Sequence, residues 1–142
     1  MLWHAALGWK AEVAAALEPH GLTPTQFFVL GSTNLLSRED ASGARQVDIA
    51  RLAGLDVMTT SQTVRLLEAG GWVKRTDDPN DSRSWRVVTT PEGAKKAEAA
   101  GGAVGATTRA FFATERMSPA ALRDVLKELM TASDARRARK AK

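Results

Sequence analysis

Residues 45–93 carry two short helical patterns separated by a turn, followed directly by two strand patterns separated by a polar turn. The first helical pattern covers residues 46–53, and Gly54-Leu55 supplies the turn after it. Asp56 can cap the next helix, which the spacing predicts from about residue 57 to residue 69. This order of elements predicts a helix-turn-helix followed by a β-hairpin wing.

The second helix of this pair has one inward face. Thr60, Val64 and Leu67 recur at spacings of four and three residues, so they share the side predicted to face a core. Residues that favour strands follow, on both sides of the turn sequence Asp-Asp-Pro-Asn-Asp. The hairpin is predicted with strands at residues 72–76 and 84–89 and a turn at residues 77–81.

Helical patterns also flank this region on both sides. Thr23 and Gln26 form a capping box with Pro24 at the first helical position, which predicts a helix from Pro24 to about residue 37. The other predicted helices run from residue 2 to about residue 18 and open at Thr90-Pro91 and at Ser118-Pro119; residues 37–44 are predicted as a loop. Gly101, Gly102 and Gly105 are expected to bend the helix that opens at Thr90-Pro91, or to make it depend on packing. The predicted fold class is mainly α with a small β-hairpin: four helices, the hairpin and two more helices.

The composition excludes several classes of protein. Hydrophobic residues at 44% and charged residues at 25% are typical of a globular chain, and 142 residues suit a single domain. The sequence has no apolar run that could cross a membrane and no secretory leader pattern, so we expect a cytoplasmic protein that does not bind membranes. It has no cysteine, two histidines and no phosphate loop, nucleophile elbow or zinc motif. We therefore expect neither an enzyme nor a bound metal or cofactor.

Basic residues cluster, although the formal net charge is only +4. Lys74, Arg75, Arg83 and Arg86 lie in the predicted hairpin, and a basic tail occupies residues 137–142. Such clustering indicates a polyanionic partner. For the tail, a solvated chain end is the alternative.

The chain resembles the MarR family of winged helix-turn-helix regulators over nearly its whole length. The resemblance rests on Gln46-Val47-Asp48-Ile49-Ala50, on residues 67–75 and, most specifically, on Asp81-Ser82-Arg83 followed by Val88, Thr90 and Gly93. Thr89 departs from the pattern, since the family usually has leucine there. The resemblance implies a sequence-specific regulator of transcription, taken here as a repressor, that a small phenolic or lipophilic effector releases from DNA.

The side chains of the second helix and of the wing suit duplex DNA. Glutamine can pair with adenine and arginine with guanine, while a guanidinium at a hairpin tip suits the negative potential of a minor groove. Arg83, just past the turn, is the strongest single candidate. The predicted DNA-binding residues are Thr59, Thr60, Ser61, Gln62, Thr63, Arg65, Lys74, Arg75, Arg83 and Arg86, with Thr60 also assigned to the inward face. A solvated surface is the alternative for the helix residues and for Lys74, Arg75 and Arg86.

Two further features of the hairpin have a structural interpretation. Asp81 is predicted to shape the wing, by accepting hydrogen bonds within the turn or by pairing with a wing arginine. Trp72 and Trp85 are interpreted as an aromatic pair across the strands rather than as a stacking platform for unpaired bases.

The long helices outside the hairpin region exceed what one winged helix needs. We therefore predict a homodimer that presents two recognition helices to a palindromic operator; a monomer capped by its own helices is the alternative. The predicted division of the single domain 1–142 is a winged helix-turn-helix at residues 22–93, a helical dimerisation part at residues 1–20 and 94–136, and the basic tail.

Six aromatic residues are candidates for the lining of an effector pocket, although aromatic residues at helical spacing also build cores. They are Trp9, His20, Phe27, Phe28, Phe111 and Phe112. The alternative to a DNA-binding regulator is a winged-helix module that binds proteins and has no affinity for DNA.

Overall fold

The computed structural model describes residues 1–113 and 118–140, which are mainly helical with one two-stranded hairpin. This confirms the predicted fold class and the order of the elements. The elements are α1 (Leu2–Leu17), a 3-10 turn (Glu18–His20), α2 (Pro24–Glu39), α3 (Gln46–Ala53), α4 (Val57–Ala69), β1 (Val73–Asp78), β2 (Asp81–Thr89), α5 (Pro91–Phe112) and α6 (Pro119–Lys140).

The capping box predicted at the start of α2 is present. The Gln26 N–H donates to Thr23 Oγ1 at 3.2 Å, and the Thr23 N–H donates to Gln26 Oε1 at 2.9 Å. These two bonds satisfy backbone donors that the first turn of a helix leaves without partners. The helix continues to Glu39, two residues past its predicted end, and Asp40 leaves it in extended backbone.

A single hydrophobic core joins the helix-turn-helix to the hairpin. Helix α2 contacts α3, α4 and β2, so it forms the support on which the other elements are placed. The side chains of Ile49, Val64, Leu67 and Val87 are fully buried there. Burial of a large aliphatic side chain contributes about 1.5–3 kcal/mol, so this core holds α4 and the wing in a defined relation.

Strands β1 and β2 pair antiparallel, with Val73 opposite Thr89 and Asp77 opposite Trp85. They are longer than predicted, because residues assigned to the turn pair in the ladder and leave only Pro79-Asn80 between the strands. Ala44, in the predicted surface loop, adds an isolated bridge: its N–H and carbonyl bond Val87 at 2.9 Å each. The loop therefore joins the edge of the hairpin, which no local signal in the sequence indicated.

Helix α5 runs without a break through Gly101, Gly102 and Gly105, so these residues do not interrupt it. The chain divides within α5 into two compact units, residues 1–105 and the described part of residues 106–142. The second unit consists of the end of α5 and of α6, and α6 includes residues 137–140 of the predicted basic tail. Residues 141 and 142 of the tail lie outside the described residues.

Candidate nucleic-acid interface

The helix-turn-helix is built by local bonds at the start of α4. Gly54 ends α3 in left-handed backbone at φ 69°, and Asp56 then caps α4 by accepting the Thr59 N–H at 2.8 Å and the Thr59 hydroxyl at 2.7 Å. These bonds, with the backbone bond first, lower the pKa of Asp56 below its ordinary value. Gln46 Nε2 donates to the carbonyl of Val57 at 3.0 Å, which ties the start of α3 to the start of α4. The first turn of α4 is thus held both by its own cap, Asp56, and by the Gln46 side chain of α3.

Helix α4 has one outward line of side chains. Met58, Gln62 and Arg65 are exposed and follow one another at spacings of four and three residues, opposite the buried Val64 and Leu67. We call these three residues the outer face of α4. It combines a thioether, an amide and a guanidinium.

Two threonines predicted to bind DNA are buried instead. Thr60 is 0% exposed and Thr63 is 5% exposed. Their hydroxyls donate to the carbonyls of Asp56 and Thr59, four residues earlier, at 2.9 and 2.7 Å. Thr60 was correctly assigned to the inward face, but neither hydroxyl can reach a partner outside the protein. The DNA-binding prediction for Thr60 and Thr63 is therefore wrong, because the helical repeat turns both side chains inward.

The other polar residues of α4 remain at the surface to different degrees. Gln62 and Arg65 are exposed, whereas Thr59 and Ser61 are half-buried. The Thr59 hydroxyl is already bonded to Asp56, so it is less free to meet a ligand. DNA contact by Thr59, Ser61, Gln62 and Arg65 stays a prediction.

The tip of the wing is shaped by two aspartates. Asp78 accepts the Asn80 N–H at 2.9 Å across the turn. Asp81 accepts the Ser84 hydroxyl at 2.7 Å and the Arg83 N–H at 3.0 Å, and these bonds lower the pKa of Asp81. The carboxylates are thus engaged within the hairpin, and the exposed Arg83 is carried just past the turn.

Arg86 was predicted to bind DNA, but the structure places it inside a network of carboxylates. Its side chain is 11% exposed, with Nε 3.0 Å from Asp78 Oδ2 and Nη1 2.8 Å from Asp40 Oδ2. Nη1 also donates to Ser42 Oγ and to the carbonyl of Gly43. The close carboxylate of Asp78 raises the pKa of Arg86 above its ordinary value. Arg86 fastens the loop after α2 to the hairpin, so its DNA-binding prediction is wrong.

The two remaining wing cations, Lys74 and Arg75, are both exposed. The Arg75 guanidinium lies 4.4 Å from the centre of the Trp85 ring, and its Nε is 3.4 Å from Glu68 Oε2. Trp72 lies outside the ladder, under the ammonium of Lys96 at 4.4 Å. The predicted Trp72–Trp85 pair across the strands is therefore wrong, and each ring packs against a cation instead.

Sequence reasoning missed two residues of this surface. Arg45 is 59% exposed in its side chain and lies with Arg83 along a cleft of about 360 Å³ between the start of α3 and the wing. Met58 is 73% exposed at the second position of α4. The prediction favoured polar residues of α4 and so passed over Met58, although its spacing to Gln62 and Arg65 was visible in the sequence.

The six predicted effector-pocket residues are distributed over both units, and their pocket stays a prediction. Trp9 and Phe27 each contact Phe28, at ring-centre distances of 6.3 and 5.3 Å, and both pack against the core of the first unit. Phe111 and Phe112 contact each other in the second unit. A cavity of about 480 Å³ beside Glu18 and Gly21 contains none of the six, and one of the same volume in the second unit contains only Phe112. His20 is half-buried at the end of the 3-10 turn.

Within residues 1–113 and 118–140, no group of three or more histidines, aspartates and glutamates is placed to hold a metal ion. No helix in this part of the chain is both long enough and apolar enough to span a bilayer.

Known proteins share this architecture. A sequence model of the MarR family matches residues 20–84. An uncharacterized HTH-type transcriptional regulator of Bacillus subtilis, YdcH, is 32% identical over 113 residues, which cover 80% of this chain and 76% of that protein.

Two solved structures extend the likeness to three dimensions. CouR from Rhodococcus jostii RHA1, bound to p-coumaroyl-CoA, is 29% identical with a TM-score of 0.76, and the match covers 92% of this chain and 87% of CouR. A mutant MarR from E. coli in complex with operator DNA has a TM-score of 0.72 over 92% of this chain and 89% of that protein. Its identity is 22%, so it shows the shared fold alone.

Proposed function

Because this chain belongs to the MarR family of helix-turn-helix transcriptional regulators, we propose that it represses transcription by binding a palindromic operator as a homodimer. The family consists of DNA-binding regulators rather than enzymes, in agreement with the expectation that this chain is not an enzyme. The observation that carries the proposal is the exposure both of the outer face of α4 and of Arg83 at the tip of the wing.

The proposed complex places α4 in the major groove. In helix-turn-helix proteins the first residues of the recognition helix meet base edges, while the first helix crosses the backbone. Gln62 and Arg65 supply the donors and acceptors that suit adenine and guanine. Arg83 enters the adjacent minor groove, and Lys74 and Arg45 meet phosphates.

Exposed apolar side chains support the homodimer. In α1, Leu2 and Trp3 are 73% and 71% exposed, and in α6, Val125 and Leu129 are 46% and 51% exposed. A lone exposed apolar residue needs no explanation, but several on one helix favour a partner surface. A second copy of this chain is the partner that a two-fold operator requires.

Release from DNA by a small molecule is the remaining part of the proposal. The relative CouR is bound to p-coumaroyl-CoA, an aromatic acyl thioester. For this chain we propose only the class of the effector, which is a phenolic or lipophilic molecule. The six aromatic residues expected to line its pocket stay candidates for that site.

The test is binding to duplexes selected from a random pool. We expect affinity to fall by about 0.9 log units per tenfold rise in salt for each phosphate that the protein neutralises. Combining Gln62→Ala with Arg83→Ala should abolish preference for the selected duplex. Lys95→Ala, which removes an exposed cation from α5, is the control and should bind like the wild type. Failure to bind any duplex at low salt would instead favour a protein-interaction module.

A further inference from the structure

Met58 is the one residue of the outer face of α4 that carries no polar group able to pair with a base. It is 73% exposed, among the most exposed large apolar side chains in the described chain. Its neighbours along the same line are Gln62 and Arg65, one and two helical turns further on. A long apolar side chain therefore leads a row of side chains suited to base edges.

The position of Met58 is fixed by the bonds at the helix start. Asp56 caps α4 through Thr59, and Gln46 holds the carbonyl of Val57, so the backbone on both sides of Met58 is constrained. The buried side chains of Thr60, Val64 and Leu67 set the rotation of the helix about its axis. Met58 must then point away from the core. It lies in the first turn of α4, which is the turn that meets base edges in a helix-turn-helix complex.

The major groove offers an apolar side chain one distinctive partner. The edges of guanine, cytosine and adenine present only donors and acceptors there, whereas thymine presents the C5-methyl group as well. The thioether of methionine is a weak acceptor without a donor, and its unbranched chain adapts to irregular apolar surfaces. A phosphate or a guanine edge would gain little from it.

We propose that Met58 reads the C5-methyl group of a thymine in each half-site and so sets the base preference at that position. This inference rests on the proposed function, because it requires α4 to lie in the major groove. It adds an apolar readout to the polar readout by Gln62 and Arg65. The selected operator is therefore expected to hold thymine at a fixed step from the base pairs that those two residues contact.

The experiment removes the methyl group without changing base pairing. Each thymine of the selected duplex is replaced in turn by deoxyuridine, symmetrically in both half-sites, and affinity is measured for the wild type, Met58→Gln, Met58→Leu and Leu66→Ala. Glutamine has nearly the helix propensity of methionine, so Met58→Gln preserves α4 while removing its apolar end. Leu66 is 60% exposed two helical turns beyond Met58 on the same helix, and its variant is the matched loss of an apolar side chain at the other end of α4.

One deoxyuridine position should weaken wild-type binding by about fourfold per half-site, the factor for one methyl-sized apolar group removed from water. The same replacement should leave binding by Met58→Gln unchanged, while Met58→Leu and Leu66→Ala keep the wild-type response. Equal binding of thymine and deoxyuridine duplexes by the wild type, or an undiminished response in Met58→Gln, would overturn the inference while DNA binding itself stood. A wild type that binds no duplex would refute the proposed function as well.

Discussion

Arg83 and Arg86 lie three positions apart in strand β2 and have opposite surroundings. Arg83 is exposed at the tip of the wing, whereas Arg86 is held between Asp78 and Asp40. The same role was predicted for both from the sequence, because both are arginines of a basic hairpin. The distinction came from the loop after α2, which folds back onto β2 and supplies Asp40, Ser42 and the carbonyl of Gly43.

Exchanging each arginine for methionine should separate the structural role of Arg86 from the proposed DNA-binding role of Arg83. We expect Arg86→Met to lower the urea midpoint of unfolding, because it leaves Asp78, whose side chain is 2% exposed, without its closest cation. Arg83→Met should stay within about 0.5 kcal/mol of the wild type in stability and lose DNA affinity. Adding Asp78→Asn to Arg86→Met should restore part of the midpoint. Equal midpoints for the two single variants would contradict the structural role of Arg86.

The ion pairs around Arg86 also predict that the stability of the fold depends on pH. The Asn80 N–H, followed by the Arg86 guanidinium, lowers the pKa of Asp78 in the folded state. A lowered carboxyl pKa stabilises the fold above the unfolded pKa, near 4, and this stabilisation is lost as the pH falls through the lower, folded value. We expect the free energy of unfolding to decline below about pH 4, and to decline less steeply in Asp78→Asn. Parallel pH profiles for the two proteins would show that Asp78 carries no such coupling.

At the scale of the elements, two glycines of α5 differ in the space around them. Gly93 lies where the helix starts against the hairpin, and a Cβ there would fall 1.9 Å from the carbonyl oxygen of Trp72. Gly102 is exposed in the helix interior, and a Cβ there would meet no atom within 4 Å. In the sequence both are glycines of one predicted helix, and only the packing distinguishes them.

Alanine at each position should shift stability in opposite directions. Gly93→Ala forces α5 away from Trp72 and should destabilise the protein by about 1–3 kcal/mol, the usual cost of overpacking. Gly102→Ala should stabilise it by about 1 kcal/mol, because alanine is the better helix former and has room. Thermal or urea unfolding of the two variants measures both effects. Destabilisation by Gly102→Ala would mean that the glycine makes a close contact outside this chain, as in a dimer.

For the molecule as a whole, we expect dimerisation to be necessary for operator binding. Val125→Glu combined with Leu129→Glu places charge on the exposed apolar stripe of α6 and should convert a dimer into a monomer that holds only one half-site. Thr131→Glu adds charge on the other side of the helix and is the control. Sedimentation and operator titration together test this. A wild type that sediments as a monomer while binding the full operator would contradict the homodimer.

Local chemistry in the sequence was enough to predict most of the fold. The Thr23–Gln26 box, the Asp56 cap and the turn residues around Pro79 act within a few positions of themselves, so short stretches of sequence sufficed to place the helices and the hairpin. Tertiary structure alone decided which polar residues of those elements reach the surface. Arg86 became a structural cation while Arg83 stayed exposed, because charge pairing depends on segments such as the loop after α2 that lie far away in the chain.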